Sequence, residues 1–416
     1  MEYGFLLLVL AGVGAFFMAF NNGANDVANS FASAVGAKAI SMQQAVLIAG
    51  MMNLLGAVLI GGNVSAKLVV GVVNPVEFGS PTAYVLAMFS VLLAAGTFVL
   101  LSTFASLPVS SSHSIVGSLI GVSLVAGGTG SVNRDVLLAI VASWFVSPIL
   151  AGAMSLGLYS FIEKRILGDG KPMERLRFFL PFILAITVAV FVLILMKGST
   201  LKDYRPSSAW EMFLFMAVLL PYATLVVQGL LRSATLELDD TREAAEGVFR
   251  KLQVGTSSYV AFAHGANDVA NAISPVYAIF LVVSMNGALP TEALVAEIGV
   301  PLWVLILGGA GIATGIAALG HRVIKTLSVR ITKIDNFKGF SVDFSAATTV
   351  VSASLLGLPV SSTHAATGAI VGTGLREGKG VDWKLMGKIL LTWVITVPIA
   401  GLLTVGLFLA LKAIFL

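Results

Sequence analysis

Gly23-Ala-Asn-Asp-Val-Ala-Asn29 returns unchanged as Gly265-Ala-Asn-Asp-Val-Ala-Asn271. Each copy plants an aspartate and two asparagines beside an apolar run, Phe5 to Phe20 before the first and Val254 to Phe262 before the second. An aspartate near the centre of a bilayer costs about 2.5–3.5 kcal/mol on insertion scales, so it is rarely there without a use. Two copies in corresponding places point to a binding site at the interface of two repeats.

Composition fixes the class. Hydrophobic residues make up 57% of the 416 and charged residues only 11%, whereas a soluble domain carries about 25% charged residues. The apolar runs, near 20 residues each, are long enough to span a bilayer as helices. The chain reads as an all-α polytopic membrane protein. Its 43 glycines suit close helix packing and helix breaks. With no cysteine, disulfides and thiolate metal sites are excluded. The basic residues lie in short loops, so no nucleic acid partner is expected. Met-Glu-Tyr at the start lacks a basic region and a cleavage pattern, so Gly4 onward reads as a first transmembrane helix.

Twelve apolar spans follow: 4–36 (interrupted at Asn21 to Asp26), 43–62, 82–103, 108–127, 136–162, 178–196, 209–231, 254–283 (interrupted again), 301–320, 339–357, 359–375 and 389–415. The short pieces 108–127 and 359–375 also fit re-entrant hairpins. A second repeated motif, Leu107-Pro-Val-Ser-Ser-Ser-His113, returns as Leu358-Pro-Val-Ser-Ser-Thr-His364, and Trp144 with Pro148 loosely matches Trp393 with Pro398. The expected organisation is a first repeat over 1–162, a central insert of two transmembrane helices over 163–249 and a second repeat over 250–416. Loops 37–42, 163–177, 232–252, 321–338 and 376–388 hold 19 of the 25 lysines and arginines. The positive-inside rule makes them cytoplasmic and both termini extracellular. An odd number of crossings then separates the Asp motifs, so the repeats are expected to be inverted.

The polar residues suggest transport. Asn22, Asn25, Asp26 and Asn29, with Asn267, Asp268 and Asn271 beside His264 in the second copy, offer carboxylate and amide oxygens suited to sodium. Helix breaks at the motif glycines would add backbone carbonyls. The bland alternative is polar glue between helices. Pro108 and Pro359 suit helix starts, and Ser110, Ser111 and Ser112, then Ser361, Ser362 and Thr363, supply more hydroxyls than a cap needs. Hydroxyls and amides at a helix N-terminus bind phosphate-like anions. No lysine or arginine lies in a span near these motifs. A bound anion therefore needs helix ends, co-bound cations or protons to balance it, which describes a cation-coupled anion transporter.

His113, His264 and His364 lie in the repeats and are read as gating or proton-linked residues, or as locks for hairpins. Asp343 is a third carboxylate in an apolar stretch, read as part of the substrate path, as a proton relay, or as a water-facing span end. A Ser-His-Asp hydrolase is disfavoured: Ser112 and His113 diverge by about 100° on a helix, and no Gly-x-Ser-x-Gly elbow is present.

Both Asp motifs, both Pro-Val-Ser stretches and Gly339-Phe-Ser-Val-Asp-Phe-Ser-Ala346 resemble the inorganic phosphate transporter (PiT) family, with the match running through both halves. The resemblance implies inverted repeats, symport of inorganic phosphate with sodium or protons across the cell membrane, and a homodimer. No enzyme activity and no organic cofactor are implied. Carried over by position, Ser110, Ser111, Ser112, Ser361, Ser362 and Thr363, with Asn25 and Asn267, would hold phosphate. Asn22, Asp26, Asn29, Asp268 and Asn271 would hold sodium, the metal expected. Asn53 and Asp343 stand where many members have glutamate. Without an ionisable group at Asn53, sodium is favoured over protons. The alternatives are a proton-coupled phosphate or sulfate permease, a passive channel and, remotely, an intramembrane phosphohydrolase.

Overall fold

A computed structural model describes residues 4–105, 109–168, 170–198, 208–235, 238–324, 335–376 and 381–416. Pro108 and six basic residues of the charge argument (Lys202, Arg205, Lys325, Arg330, Lys333 and Lys379) lie outside the described residues. The first six helices are α1 (Gly4–Asp26), α2 (Ala28–Gly36), α3 (Met42–Ile60), α4 (Gly62–Gly71), α5 (Pro81–Phe104) and α6 (Ser111–Ala126). They are followed by α7 (Arg134–Phe161), α8 (Pro172–Gly198), α9 (Ala209–Thr235), α10 (Arg242–Ser284) and α11 (Glu292–Ile298). The last four are α12 (Leu302–Gly315), α13 (Asn336–Leu355), α14 (Ser362–Arg376) and α15 (Trp383–Phe415). Among the described residues nine helices are long and apolar enough to cross a membrane, with Gly4–Gly36 counted as one. The twelve apolar stretches all hold helices, but α6, α13 and α14 are not among those nine.

The Asp motifs do not break their helices as expected. α10 runs unbroken through Gly265 to Asn271. α1 passes into α2 through Val27 alone, whose backbone stays helical at φ −56°, ψ −28°. The motif glycines serve close packing instead. A Cβ at Gly265 would collide with the Asn53 carbonyl of α3, and one at Gly23 with the Ile312 carbonyl of α12. Small residues let helices approach this closely, and van der Waals contact then replaces the hydrophobic drive that lipid cannot supply.

Within the segments 108–127 and 359–375, α6 and α14 fold back on the helices that precede them, α5 and α13, as second arms of two hairpins. α14 lies along α7 from the Trp144 carbonyl, beside His364 Nδ1 at 3.2 Å, to Glu163, whose carboxylate meets Arg376 Nε at 2.7 Å. It stops ten residues short of where α7 begins at Arg134. α6 lies along α15 in the matching way. Cβ atoms at Gly117 and Gly368 would strike the Val397 and Pro148 carbonyls respectively. The hairpin tips touch, with the Ser112 hydroxyl donating to the Val360 carbonyl at 3.0 Å.

Four basic loops gather at one end. Asp240 Oδ1 accepts from the Met173 amide at 2.7 Å, Glu246 accepts from Asn336 at 3.1 Å, and Arg376 pairs with Glu163. At the other end Val73 bridges Val132, and Lys67 donates to the Leu356 carbonyl at 3.0 Å. α9 packs mainly on α8 and presents Trp210, Val218, Tyr222 and Leu225 outward.

Candidate functional site

The two Asp motifs and the two hairpin tips meet in one buried cluster. Asp26 and Asp268 are 2% and 0% exposed, burial that an ionised carboxylate tolerates only with compensation. The Ser111 hydroxyl donates to Asp26 Oδ2 at 3.0 Å, and the Ser362 hydroxyl donates to Asp268 Oδ2 at 2.7 Å. These are equivalent bonds in the two repeats, since 26 and 268 differ by 242 and 111 and 362 by 251.

The equivalence extends further. Asn25 donates to Thr103 at 2.9 Å, as Asn267 does to Ser354 at 3.0 Å. Across the repeats, Asn29 donates to Thr363 at 2.9 Å, and Asn271 donates to Ser112 and Ser111 at 3.3 Å. Ser112 also donates to Asp268 Oδ1 at 3.3 Å, so the first tip engages the carboxylate of the second repeat. Asn25 and Asn267 thus anchor hairpin ends, Asn267 through the Leu358 carbonyl as well.

Both tips begin helices. The Ser110 hydroxyl accepts from the His113 amide and the Ser361 hydroxyl from the His364 amide, each at 3.2 Å. These N-caps leave Ser111, Ser112, Ser362 and Thr363 in the first turns of α6 and α14, the three serines directed at the carboxylates and Thr363 at Asn29. A helix N-terminus with free hydroxyls suits an anion. Among the described residues, the buried Oδ1 atoms of Asn22, Asn267 and Asn271 have no hydrogen-bond partner. Orphaned carbonyl oxygens beside two carboxylates suit a hard cation, so the donor set fits sodium.

His264 joins the carboxylates. Its Nε2 lies 3.0 Å from Asp268 and 3.5 Å from Asp26. Asp26, His264 and Asp268 place ligand atoms within 4.8 Å of one another. Asn53 donates its amide to the Ala49 carbonyl at 2.8 Å, so its Oδ1, 2.5 Å from His264 Nδ1, accepts the ring proton there. Nε2 is left facing both carboxylates, where it either carries a second proton or offers a lone pair to a cation.

His113 and His364 lie apart from the carboxylates. Trp144, His113, His364 and Trp393 form a continuous stack with centroid separations of 3.6, 4.5 and 3.4 Å. Asp343 also lies outside the cluster and accepts from Ser257 at 2.5 Å and from Ser33 at 3.2 Å. Sequence reasoning missed Thr103, Ser354, Ser33 and Ser257. Their one available signal was polarity within apolar runs, which isolated serines and threonines also show when they only bond their own helix.

Fold and site together define a polytopic membrane carrier whose buried Asp26–Asp268 cluster draws on both copies of each repeated motif. A family profile described as the phosphate transporter family matches residues 22–404. A protein assigned by name as a phosphate permease in Pyrococcus horikoshii is 36% identical over 397 residues, covering 95% of each chain. One so assigned in Haemophilus influenzae is 34% identical over 420 residues, covering 100% of this chain and 99% of its own. A solved structure described as the sodium-dependent phosphate transporter superposes with a TM-score of 0.90 at 38% identity, covering 99% of this chain and all of that one. The chain belongs to the phosphate transporter family. Its role is transport, not catalysis, which removes the phosphohydrolase alternative.

Proposed function

We propose that the protein imports inorganic phosphate by symport with sodium, through alternating access around the Asp26–Asp268 cluster. The observation that carries this reading is the direct bonding of anion-type and cation-type groups. Ser111 and Ser362, at helix N-termini, donate to the two carboxylates of the cluster. An anion seated between the tips would face two aspartates with no lysine or arginine among their partners in the described residues. Sodium co-bound by Asp26, Asp268 and the asparagine oxygens removes that repulsion, so each ligand favours the other.

In this reading Ser111, Ser112 and Ser362 turn from the carboxylates, and Thr363 from Asn29, toward phosphate as sodium arrives. Ser110 and Ser361 hold the helix starts, and Asn25 and Asn267 fix the tips. The hairpins, set from opposite faces, are the moving parts, and α7 and α15 are the rails they lie on. The gathering of basic loops at one end supports a cytoplasmic assignment for that end, hence extracellular termini in the plasma membrane. We extend the homodimer expectation to α9, whose apolar side chains face outward.

A proton-coupled phosphate or sulfate permease is the second reading, favoured by the ability of His264 Nε2 to carry a proton between the carboxylates. Uptake of labelled phosphate into proteoliposomes separates the two. The expected result is accumulation under an inward sodium gradient, suppressed by excess phosphate and not by sulfate. Accumulation driven only by a proton gradient would overturn sodium coupling.

A further inference from the structure

The turn of the second hairpin, Leu356 to Val360, is held through its carbonyls. Leu356 accepts from Lys67 Nζ of α4 at 3.0 Å, Leu358 from the Asn267 amide of α10 at 3.2 Å, and Val360 from the Ser112 hydroxyl of α6 at 3.0 Å. Asn267 and Ser112 belong to the buried cluster. Lys67 does not: it is exposed, and it ties the turn to the first repeat from outside the cluster.

Local chemistry explains the bond. α13 closes with the Gly357 amide on the Ser354 carbonyl at 3.0 Å and the Leu358 amide on the Ala353 carbonyl at 2.9 Å, with Gly357 left-handed at φ +68°. Helices commonly end on glycine in this way. Among the described residues no backbone amide reaches the Leu356 carbonyl, so its donor comes from a side chain. A cation is favoured there, because the aligned carbonyls give a helix C-terminus partial negative charge. The lysine stem lies across the turn: a Cβ at Gly357 would come 3.1 Å from Lys67 Cδ and 3.2 Å from the Asn63 carbonyl. Toward α4, then, the turn is closely packed. Toward α7 it adjoins a cavity of about 240 Å³, bordered by Lys67 and Leu68 of α4, Asp135 and Val136 of α7, and Leu358 and Pro359 of the turn itself. Close-packed proteins hold few voids larger than a water molecule, and this one gives the turn somewhere to go.

We propose that Lys67 is a positioning residue for transport, a latch that holds the turn of the second hairpin on the first repeat while the cluster is closed. When the latch releases, the turn shifts into the cavity, and the start of α14 moves with it. Ser362, the first residue of α14, then leaves Asp268. Lys67 touches neither ion nor phosphate. It sets how readily the cluster opens at this end, not what the cluster binds.

This inference rests on the alternating-access reading, and one reporter separates the two. Val360 is 1% exposed, and Val360→Cys gives the chain its single cysteine, which reacts with a maleimide only when the turn moves. Labelling rates are measured on purified full-length protein in nanodiscs, where both faces are open to the reagent, with and without sodium and inorganic phosphate. Adding Lys67→Met is expected to speed labelling of the ligand-free protein about 5-fold or more. Lys67→Arg, which keeps a cationic donor, should stay within about 2-fold of the lysine. A merely structural lysine would lower the unfolding temperature in Lys67→Met and leave the labelling rate within about 2-fold. That result, with labelling still slowed by sodium and phosphate, would overturn the latch and leave alternating access standing. Labelling that ignores sodium and phosphate in the Val360→Cys protein would overturn alternating access and the latch with it.

Discussion

At position 264 the twofold relation between the repeats fails. His264 corresponds by the 242 offset to Asn22, which donates to the Asp268 backbone carbonyl at 3.2 Å. One half thus contributes a neutral amide and the other an imidazole wedged between two carboxylates. Asn53 decides which ring nitrogen faces them. Asn53→Leu removes the acceptor for Nδ1 and leaves a buried donor unpaired, a loss of about 1–3 kcal/mol. Sodium-dependent phosphate affinity is expected to fall roughly 5- to 150-fold, measurable by equilibrium titration of the purified variant. At the carboxylates, Asp26→Asn and Asp268→Asn keep the shape and remove the charge. Each should abolish sodium-driven uptake while thermal unfolding stays close to the wild type; normal uptake in both would end the assignment. The two aspartates were legible in the sequence because a charged residue in an apolar run, duplicated, has few structural uses. Thr103 and Ser354 were not, since each donates to its own helix, to the Val99 and Val350 carbonyls, as a purely local hydroxyl does, and only the folded chain brings an asparagine to it.

Among the elements, α10 corrects the most instructive expectation. Its motif glycine suggested a helix break, yet Gly265 is helical and pressed on the Asn53 backbone. Glycine serves both purposes, and composition alone does not choose between them; the facing helix does. Gly265→Ala and Gly368→Ala should therefore each destabilise by about 1–3 kcal/mol through overpacking. Gly406→Ala, on α15 with open space around its Cβ, should not. Thermal denaturation in one detergent compares the three. The hairpins were only half legible for a related reason. A run of apolar residues gives the length of a helix, but α14 is known to stop at Trp144 only once α7 lies beside it. The stacking of His113 and His364 between Trp144 and Trp393 depends equally on that docking.

For the whole molecule, the two tips bond into each other's half, so neither half holds a complete site. Asn29 reaches Thr363 and Asn271 reaches Ser112. In the proposed alternating-access reading the site is exposed by moving one hairpin at a time, and the chain offers a clean test because it contains no cysteine. Single cysteines at Arg376 and Lys67, placed at opposite ends of the hairpin rails, should react with an impermeant maleimide from opposite sides of oriented vesicles. Labelling of both from one side would refute the orientation. In the proposed symport, cation and phosphate occupy one cluster and stabilise each other there. Binding is reciprocal by thermodynamic necessity, so the most direct measurement is phosphate affinity of the purified protein with and without sodium, repeated for Asp268→Asn. Sodium is expected to tighten phosphate binding at least about 10-fold, or about 1.4 kcal/mol, and Asp268→Asn to erase the difference. Equal phosphate affinity with and without sodium in the wild type would contradict it.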